Sequence, residues 1–226
     1  MSDPATDSIY YAHAGALPLV SRISLSARRR IYALFIARMN PSATAKILDI
    51  GVSGDTAALE ANVLERLYPH PENITCAGLE DSESVAQTYP GVAFQRIRPH
   101  EPLPFPDKSF DIVYSNAVLE HAGSRERQSA FVREAQRVGR RVFIAAPNRW
   151  FPIEQHTGLP FLHYLPASVF RALLGWTPLR HWASEDNLNH MTAAELAALF
   201  TDPGRVRTEY VGFGWRPFAS NLAAWT

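Results

Sequence analysis

Short apolar segments alternate with helix-forming segments through the middle of this chain, and this alternation constrains the fold more than any other feature. Each apolar segment is bounded by glycine, proline or polar residues, which is typical of strands buried in a parallel sheet. The segments between them carry apolar residues at helical spacing. This order favours an α/β fold, a doubly wound and mostly parallel sheet with helices on both faces. The five central strands are predicted at 46–50, 74–79, 92–97, 110–115 and 141–146.

The flanking segments complete the predicted architecture. Apolar residues at helical spacing predict an N-terminal helix over 26–39, and its arginine run at 28–30 is expected to form a solvated face. Asp55 or Thr56 can cap a helix that follows the first strand and continues to Leu67. Ser82 or Ser84 is predicted to open a short helix that continues to about Tyr89. The other predicted elements are helices at 125–138, 166–174 and 192–200 and a terminal strand pair at 205–211 and 218–224, which brings the sheet to seven strands.

Length and charge narrow the class of protein. A chain of 226 residues suits one domain, and we expect an N-terminal arm and helix over 1–40, then a single domain over 41–226 with 147–200 as a substrate-side insertion. Lys and Arg number 22 and Asp and Glu number 22, so the formal net charge is 0. A nucleic-acid binder usually shows a basic excess, so we expect no nucleic-acid partner. The oligomeric state is left open.

Targeting and redox features point to the cytoplasm. The N-terminus lacks the pattern of a secretory signal, and no apolar run approaches the ~18 residues that suggest a membrane span. We therefore expect a soluble cytoplasmic protein with no membrane partner. A single cysteine, Cys76, excludes an intrachain disulfide and fits a reducing compartment. The histidines show none of the usual zinc-ligand spacings, so no metal is predicted, and His163, His181 and His190 are expected to be surface or packing residues.

Two features near the first strands point to a bound ligand. The sequence from Asp49 reads D-I-G-V-S-G, so Gly51 and Gly54 form a turn whose backbone a ligand can approach closely. Asp49 can fix this turn or bind a cationic group of the ligand, while a purely structural turn is the rival interpretation. Glu80 ends the second strand, where a carboxylate can accept both hydroxyls of a ribose. Asp81 competes for that role, and one of the two is expected to cap a helix.

At this point the residues resemble a known family. The glycine turn, Glu80 and the segment Leu103-Pro-Phe-Pro-Asp-Lys-Ser-Phe-Asp-Ile-Val-Tyr-Ser-Asn-Ala-Val-Leu-Glu-His121 are similar to class I S-adenosylmethionine-dependent methyltransferases of the small-molecule type. The resemblance covers roughly 46–166. The segment Pro147-Asn-Arg-Trp-Phe-Pro-Ile-Glu-Gln-His156 also resembles a bacterial subgroup. The resemblance implies a Rossmann-like fold and S-adenosylmethionine as the cofactor.

The family's site residues map by position. The resemblance implies that Asp49, Gly51 and Gly54 lie beside the methionine part of the cofactor. It implies further that Glu80 binds the ribose. In the same way, Ser115 and Asn116 would line the methionine and sulfonium region, and Glu120 and His121 would stand at the mouth of the substrate pocket.

The acceptor chemistry is less defined. A general base helps only when the acceptor is a hydroxyl or a protonated amine, and His121 and His156 are the candidate bases because histidine titrates near neutrality. A structural hydrogen bond is the alternative role for each. Aromatic residues after the fifth strand, among them Phe161, Tyr164 and Trp176, either belong to the core or roof an apolar pocket. A pocket of that kind would favour a partly apolar small-molecule acceptor.

Two departures from the family pattern keep other functions open. Ser53 and Asp55 stand at two of the turn's glycine positions, and the segment Arg96–Glu101 lacks the acid that many members place ahead of the Leu-Pro-Phe loop. These changes would suit a non-catalytic binding module with a cofactor fold. A nicotinamide-dependent oxidoreductase fits the turn and Glu80, although its G-x-G-x-x-G motif is absent.

Overall fold

Seven strands form one sheet in the computed structural model, which describes residues 18–79 and 83–226. The strands are β1 (Ile47–Ile50), β2 (Ile74–Gly78), β3 (Ala93–Arg96), β4 (Phe110–Asn116), β5 (Gly139–Pro147), β6 (Arg207–Val211) and β7 (Asn221–Trp225). Their order across the sheet is β3-β2-β1-β4-β5-β7-β6. Strand β7 runs antiparallel to β5 and β6, and the other neighbouring pairs are parallel. The predicted doubly wound, mostly parallel α/β sheet of seven strands is confirmed.

Helices connect these strands. The α-helices of the described residues are α1 (Pro18–Met39), α2 (Val63–Leu67), α3 (Glu83–Thr88), α4 (Arg125–Val138), α5 (Ala167–Gly175) and α6 (Ala193–Ala198). Short 3₁₀ turns lie at Pro71–Asn73, Leu119–His121, Leu162–Tyr164, Arg180–Ala183 and Pro203–Arg205. The turn at Leu119–His121 matters most for function, because it follows the carboxyl end of β4 directly.

Apolar side chains cover both faces of the sheet. On one face Val132 of α4 packs into a cluster with Val113 of β4. On the other face the Phe35 ring of α1 meets Tyr114 and Phe143 edge-on, with ring centroids 5.0 Å and 5.4 Å apart. Each fully buried apolar side chain of this size contributes about 1.5–3 kcal/mol to folding. The two layers of helices therefore fix the sheet and the edge at which its parallel strands end.

The strand register sets which residues meet at that edge. Asp49 of β1 lies between Cys76 of β2 and Tyr114 of β4. Asn116, the last residue of β4, lies beside Ala145 of β5. In open sheets of this type ligands bind outside the carboxyl ends of the strands, at the point where the strand order reverses. Here that point lies between β1 and β4.

The helix predicted to begin at Asp55 or Thr56 is wrong in its start, because α2 begins only at Val63. The Asn62 side chain accepts a hydrogen bond from the Ser53 backbone N–H at 2.9 Å and donates one to the Ser53 carbonyl at 2.8 Å. The Asp55 carboxylate accepts from the N–H groups two and three residues further on, at 3.1 and 3.2 Å. These side-chain bonds compete with helical ones and hold residues 51–62 as an irregular loop.

The N-terminal helix differs from its prediction in length and in the role of its arginines. Helix α1 begins at Pro18, ahead of the expected start. Arg29 and Arg30 are exposed, as a solvated face requires, and Arg30 donates to the Gly212 carbonyl at 2.7 Å. Arg28 is partly buried, however, so the arginine run is not a uniform solvated face.

Some predictions concern residues beyond the described ranges. The part of the N-terminal arm at residues 1–17 lies outside them, as do residues 80–82. The domain boundary at residue 40 and the substrate-side role of 147–200 stay predictions. Among the helices of the described ranges, none is both long and apolar enough to cross a membrane.

Candidate functional site

The glycine turn after β1 is closely packed. Gly51 has φ +99°, a left-handed conformation that side chains disfavour. A Cβ atom at this position would lie 2.1 Å from Val118 Cγ2, so Val118 occupies the space that any other residue would need. Gly54 lies within the irregular loop, and its carbonyl accepts hydrogen bonds from the Thr56 N–H at 3.0 Å and from Ser84 Oγ at 3.4 Å. The turn after β1 thus lies directly against the turn after β4.

Asp49 takes part in a buried carboxyl pair. Burial raises its pKa well above the ordinary value, and the nearby Glu65 charge and hydrogen bond raise it further. The pKa of Glu65 on α2 is also raised by burial. Cys76 Sγ donates to Glu65 Oε1 at 3.3 Å. This pair links α2 to the sheet. The two roles predicted for Asp49, fixing the glycine turn or binding a cationic group of the ligand, both stay predictions.

Ser115 and Asn116 end β4 at the switch point. Ser115 Oγ is buried and donates to the Ile50 carbonyl at 3.0 Å, which ties β4 to the start of the glycine turn. Asn116 Oδ1 is buried and accepts no hydrogen bond from the described part of the chain. A buried polar atom without a partner costs about 1–3 kcal/mol, so such an atom marks a position where a ligand donor fits.

Glu80 and Asp81 lie outside the described residues, so their assignment to the ribose stays a prediction. Strand β2, which leads into these two residues, ends beside the glycine turn. Gly78 ends β2, and a Cβ atom on it would lie 3.1 Å from Val52 Cγ2. The Gly78 carbonyl accepts from the Ile97 N–H at 2.9 Å, which fixes the end of β2 against the chain that leaves β3.

The loop that carries the Leu-Pro-Phe-Pro-Asp motif is held by α4. The Arg137 guanidinium donates to the carbonyls of Leu103 and Phe105, each at 2.8 Å, and to Asp107 Oδ1 at 2.9 Å. Glu134 accepts from the Leu103 N–H at 2.9 Å and also pairs with Arg137 at 2.8 Å. Much of the motif's polarity therefore holds the loop in place beside the sheet.

The 147–200 segment folds over the turn after β4. The Asn189 N–H donates to the Glu120 carbonyl at 2.8 Å, and His121 Nδ1 donates to the Asn187 carbonyl at 2.6 Å. His156 comes from the same segment, and its ring centroid lies 5.0 Å from that of His121. The structure therefore brings the two predicted bases together.

Glu154 accepts hydrogen bonds from several of the polar groups around His156. Its carboxylate accepts from the His156 backbone N–H, from the Thr157 N–H, from His156 Nδ1 at 2.8 Å and from His190 Nε2 at 3.1 Å. Burial alone would raise the pKa of Glu154, but the His156 charge and these hydrogen bonds outweigh it and lower the pKa well below its usual range. Burial would likewise lower the pKa of His156, yet the Glu154 charge raises it.

Among the described residues, the Glu120 carboxylate lacks a comparable set of hydrogen bonds. Its side chain is 1% exposed, and neither carboxylate oxygen has a hydrogen-bond partner in the part of the chain that the structure describes. Burial raises the pKa of Glu120 to about 7. Burial and the neighbouring His156 lower the pKa of His121 to about 3. We refer to the side chains around this point as the acid–histidine cluster, which consists of Glu120, His121, Glu154, His156 and His190.

Sequence patterns did not indicate several members of this site. His190 was expected at the surface or in packing, but it bonds Glu154 inside the cluster. Arg28 of α1 lies close enough to oppose the effect of burial on the pKa of both Asp49 and Glu120. Its charge therefore reaches the glycine turn and the cluster alike. His190 and Arg28 lie in no sequence motif. The arginine run at 28–30 was the only sequence feature that drew attention to Arg28.

The aromatic residues divide between core and surface. The Trp182 ring lies 4.9 Å from that of His156 and 6.1 Å from that of His121, centroid to centroid. In contrast, Phe161 is 58% exposed and Trp176 is 94% exposed. Trp182 therefore borders both candidate bases, and the Phe170 ring lies 5.9 Å from that of His190, whereas Phe161 and Trp176 do not belong to the core.

The comparisons agree with this geometry. Residues 48–142 match the model of a family described as a methyltransferase domain. A comparison with curated proteins found no match. Among solved structures, an S-adenosylmethionine-dependent methyltransferase of Aquifex aeolicus is similar over 100% of this chain and 98% of its own, with 14% identity and a TM-score of 0.57. One from Thermotoga maritima is similar over 96% of both chains, with 16% identity and a TM-score of 0.57.

A third similar structure is a complex of the Haloferax volcanii methyltransferase activator Trm112 with a methyltransferase. The similarity extends over 100% of this chain and 97% of the matched chain, with 14% identity and a TM-score of 0.59. At these identities the likenesses show the fold. The family match covers less than half of the chain, and it agrees with the resemblance drawn from the motifs: residues 48–142 are similar to a methyltransferase domain, and the sheet has the class I methyltransferase fold.

Proposed function

We propose that this chain transfers the methyl group of S-adenosylmethionine to a small-molecule acceptor that binds between the carboxyl edge of the sheet and the 147–200 segment. One observation carries the proposal. Asn116 ends β4 and Glu120 lies in the turn that follows, and within the described residues both present buried oxygens without hydrogen-bond partners. Native proteins rarely leave such atoms unsatisfied, so this turn suits a ligand on each side.

The cofactor side of the turn has features that fit S-adenosylmethionine. Asn116 Oδ1 suits a donor such as the ammonium group of the cofactor's methionine part, and the Arg28 charge suits its carboxylate. Gly51 lets Val118 of the turn after β4 pack directly against the turn after β1, which holds the two turns together at this edge of the sheet. Glu80 or Asp81 would take the ribose hydroxyls. The cofactor supplies an activated methyl group on a sulfonium, so the protein's main task is to hold donor and acceptor in line, which supplies about 7–11 kcal/mol.

The acceptor side is the acid–histidine cluster. His121 and His156 each donate their Nδ1–H, to the Asn187 carbonyl and to Glu154, so the neutral form of each ring carries its lone pair on Nε2. If the acceptor carries a proton that must leave, one of these Nε2 atoms would take it. The Trp182 ring beside both histidines favours an acceptor with an apolar part. The formal net charge of 0 favours a small molecule over a nucleic acid.

A screen of acceptors tests this proposal. The purified protein would be incubated with labelled S-adenosylmethionine and three sets of acceptors: small hydroxyl and amine compounds with apolar parts, total RNA, and protein extract. The account expects labelled product in the small-molecule set, and expects His156→Ala to lower the rate while leaving cofactor affinity unchanged. Label that appears only in RNA or protein would contradict the proposal.

A further inference from the structure

Three side chains from two distant segments present metal-binding atoms to one another. Glu120 and His121 come from the turn after β4, and His156 comes from the 147–200 segment. One donor atom from each lies within 4.8 Å of the others, and Glu120 Oε1 lies 3.8 Å from His121 Nε2. An ion with bonds of about 2.0–2.2 Å holds its donors about 3–4 Å apart, so a contraction of roughly 1 Å would complete the set.

A second set shares His156 and adds Glu154 and His190. The two sets differ in the number of hydrogen bonds that their carboxylates accept. Both oxygens of Glu154 already accept hydrogen bonds from backbone N–H groups or histidine rings. Neither oxygen of Glu120 accepts one from the described residues, although its side chain is 1% exposed. An ionised carboxylate is costly to bury unless a partner or a metal compensates it, so Glu120 is the acid of the two that a bound cation would stabilise more.

We propose that a divalent transition-metal ion of the zinc or iron(II) type binds between Glu120, His121 and His156. Two histidines and one carboxylate are a donor set that such ions use when coordination positions are left for a substrate. Magnesium and calcium are disfavoured, because they prefer sites made of oxygen atoms alone.

The surrounding hydrogen bonds fit ligands of this kind. Histidine ligands usually donate their second ring N–H to a carbonyl or a carboxylate, which orients the ring and fixes its tautomer. His121 donates to the Asn187 carbonyl at 2.6 Å, and His156 donates to Glu154 Oε1 at 2.8 Å. Both bonds use Nδ1 and place the lone pair on Nε2. Glu154 is thus a positioning residue for His156.

The bound ion would take part in methyl transfer by binding the acceptor. This role of the ion rests on the proposed function. Its open positions would bind an oxygen atom of the acceptor and hold it toward the cofactor side of the turn. His121 and His156 would then act as ligands, because one lone pair cannot serve both a metal ion and a proton. The cation site and the general base are therefore alternative roles for these two residues.

Zinc binding to the chelator-treated protein is the primary test. The competition assay uses a coloured chelator, and a parallel titration with Co²⁺ reports the coordination by visible absorption. We expect one ion per chain and a loss of at least about 100-fold in affinity for Glu120→Gln and for His156→Ala, since each removes a ligand. His70 and Glu72 form an exposed acid–histidine pair at 3.6 Å, so His70→Ala and Glu72→Gln are matched controls that keep full affinity.

Thermal melts show whether the variants fold. In chelator, Glu120→Gln should melt at or above the temperature of the parent, because it removes an unpaired buried carboxylate. With zinc at about 100 times Kd, the parent should gain roughly 5–10 °C and Glu120→Gln should gain nothing.

Three results would overturn the proposal: no zinc binding by the parent, equal binding by the parent and Glu120→Gln, or binding that His190→Ala abolishes and Glu120→Gln keeps. S-adenosylmethionine affinity, measured with and without chelator, separates the two proposals. Loss of zinc binding with intact cofactor binding would reject the metal site alone. Absent cofactor binding would reject the proposed function and leave the zinc result to stand by itself.

Discussion

Glu154 and His156 form an ion pair that is almost fully enclosed, with Oε1 and Nδ1 2.8 Å apart and side chains that are 0% and 3% exposed. The pair lies in a loop segment without regular secondary structure, which a bridge between Ile153 and Pro160 closes. Buried charges of this kind are tolerated only when they are paired and hydrogen-bonded. The pair therefore ties the fold of the 147–200 segment to the geometry of the site.

The first prediction concerns this pair. Glu154→Gln removes the charge and sets an amide N–H₂ against groups that also donate, so we expect a loss of about 3–5 kcal/mol in the free energy of unfolding. Urea unfolding at neutral pH in chelator measures it. The control is Glu185→Gln, which weakens an exposed contact with Arg171 at 3.5 Å and should cost less than about 1 kcal/mol. Equal losses in the free energy of unfolding would show that the buried pair stabilises the fold no more than the exposed contact does.

The second prediction concerns the glycine turn. Gly51→Ala places a Cβ atom 2.1 Å from Val118 Cγ2 at a position with φ +99°, so we expect a loss of about 3 kcal/mol or more and weaker cofactor binding. Gly158 has φ +70° with no atom within 4 Å, so Gly158→Ala carries the backbone strain alone, about 1 kcal/mol. Adding Val118→Ala to Gly51→Ala should restore part of the loss. A Gly51→Ala protein as stable as Gly158→Ala would contradict the close packing.

The third prediction concerns pH. Burial raises the pKa of Asp49 in the folded protein above its ordinary value of 3.8, so the native state binds a proton more tightly than the unfolded state does. By linkage, stability falls as pH rises from 3.8 through the raised pKa, and below 3.8 the penalty is absent. Glu65 adds to the same trend.

Asp49→Asn removes the ionisable group and keeps a donor toward Glu65. Its stability relative to the parent should therefore increase as pH rises from about 4 to neutrality. Urea unfolding at a series of pH values measures this difference. Asp202→Asn, which changes an exposed carboxylate paired with Arg205 at 3.2 Å, serves as the control with no such trend. A parallel pH dependence of the parent and Asp49→Asn would rule out the shifted pKa.

The fourth prediction concerns the Leu-Pro-Phe-Pro-Asp loop. Arg137→Ala removes the donors to Leu103, Phe105 and Asp107, so we expect a loss of about 2–3 kcal/mol. Amide hydrogen exchange should rise first in the 103–107 segment. Arg133, which bonds only Ser129 in the described residues, supplies the control Arg133→Ala. Exchange that rises uniformly across the sheet would mean that Arg137 stabilises the whole domain and does not hold the loop in particular.

The sheet and several helices could be predicted because their signals are local. The pattern of 125–138 predicted a helix at the bounds that α4 has, since Ser124 caps it and its apolar residues keep one face. The seven strands were also found, with ends that differ by at most three residues. Short apolar runs next to glycine and proline mark buried strands without any knowledge of their partners.

The loop after β1 and the cluster depend on contacts that no local pattern contains. Asn62 reaches back nine positions to Ser53, and this bond replaced the expected first turns of the helix. His121 meets Asn187 across 66 positions. Glu154 lies in the 147–156 segment but received no role from it, and His190 lies in no motif, so only the folded segment shows that both adjoin His156. The cofactor side followed a sequence signature, whereas the acceptor side is assembled by tertiary structure.

The measurement that tests the account most directly is a calorimetric titration of the protein with S-adenosylmethionine and S-adenosylhomocysteine, with NAD as the control ligand and Glu80→Ala as the variant. The account predicts one site per chain for both sulfur ligands and no binding of NAD. It predicts that Glu80→Ala weakens binding by about 1.5–3 kcal/mol, roughly 10- to 150-fold, because hydrogen bonds to a charged group are lost. Binding of NAD, or no binding of either sulfur ligand by the folded protein, would contradict it.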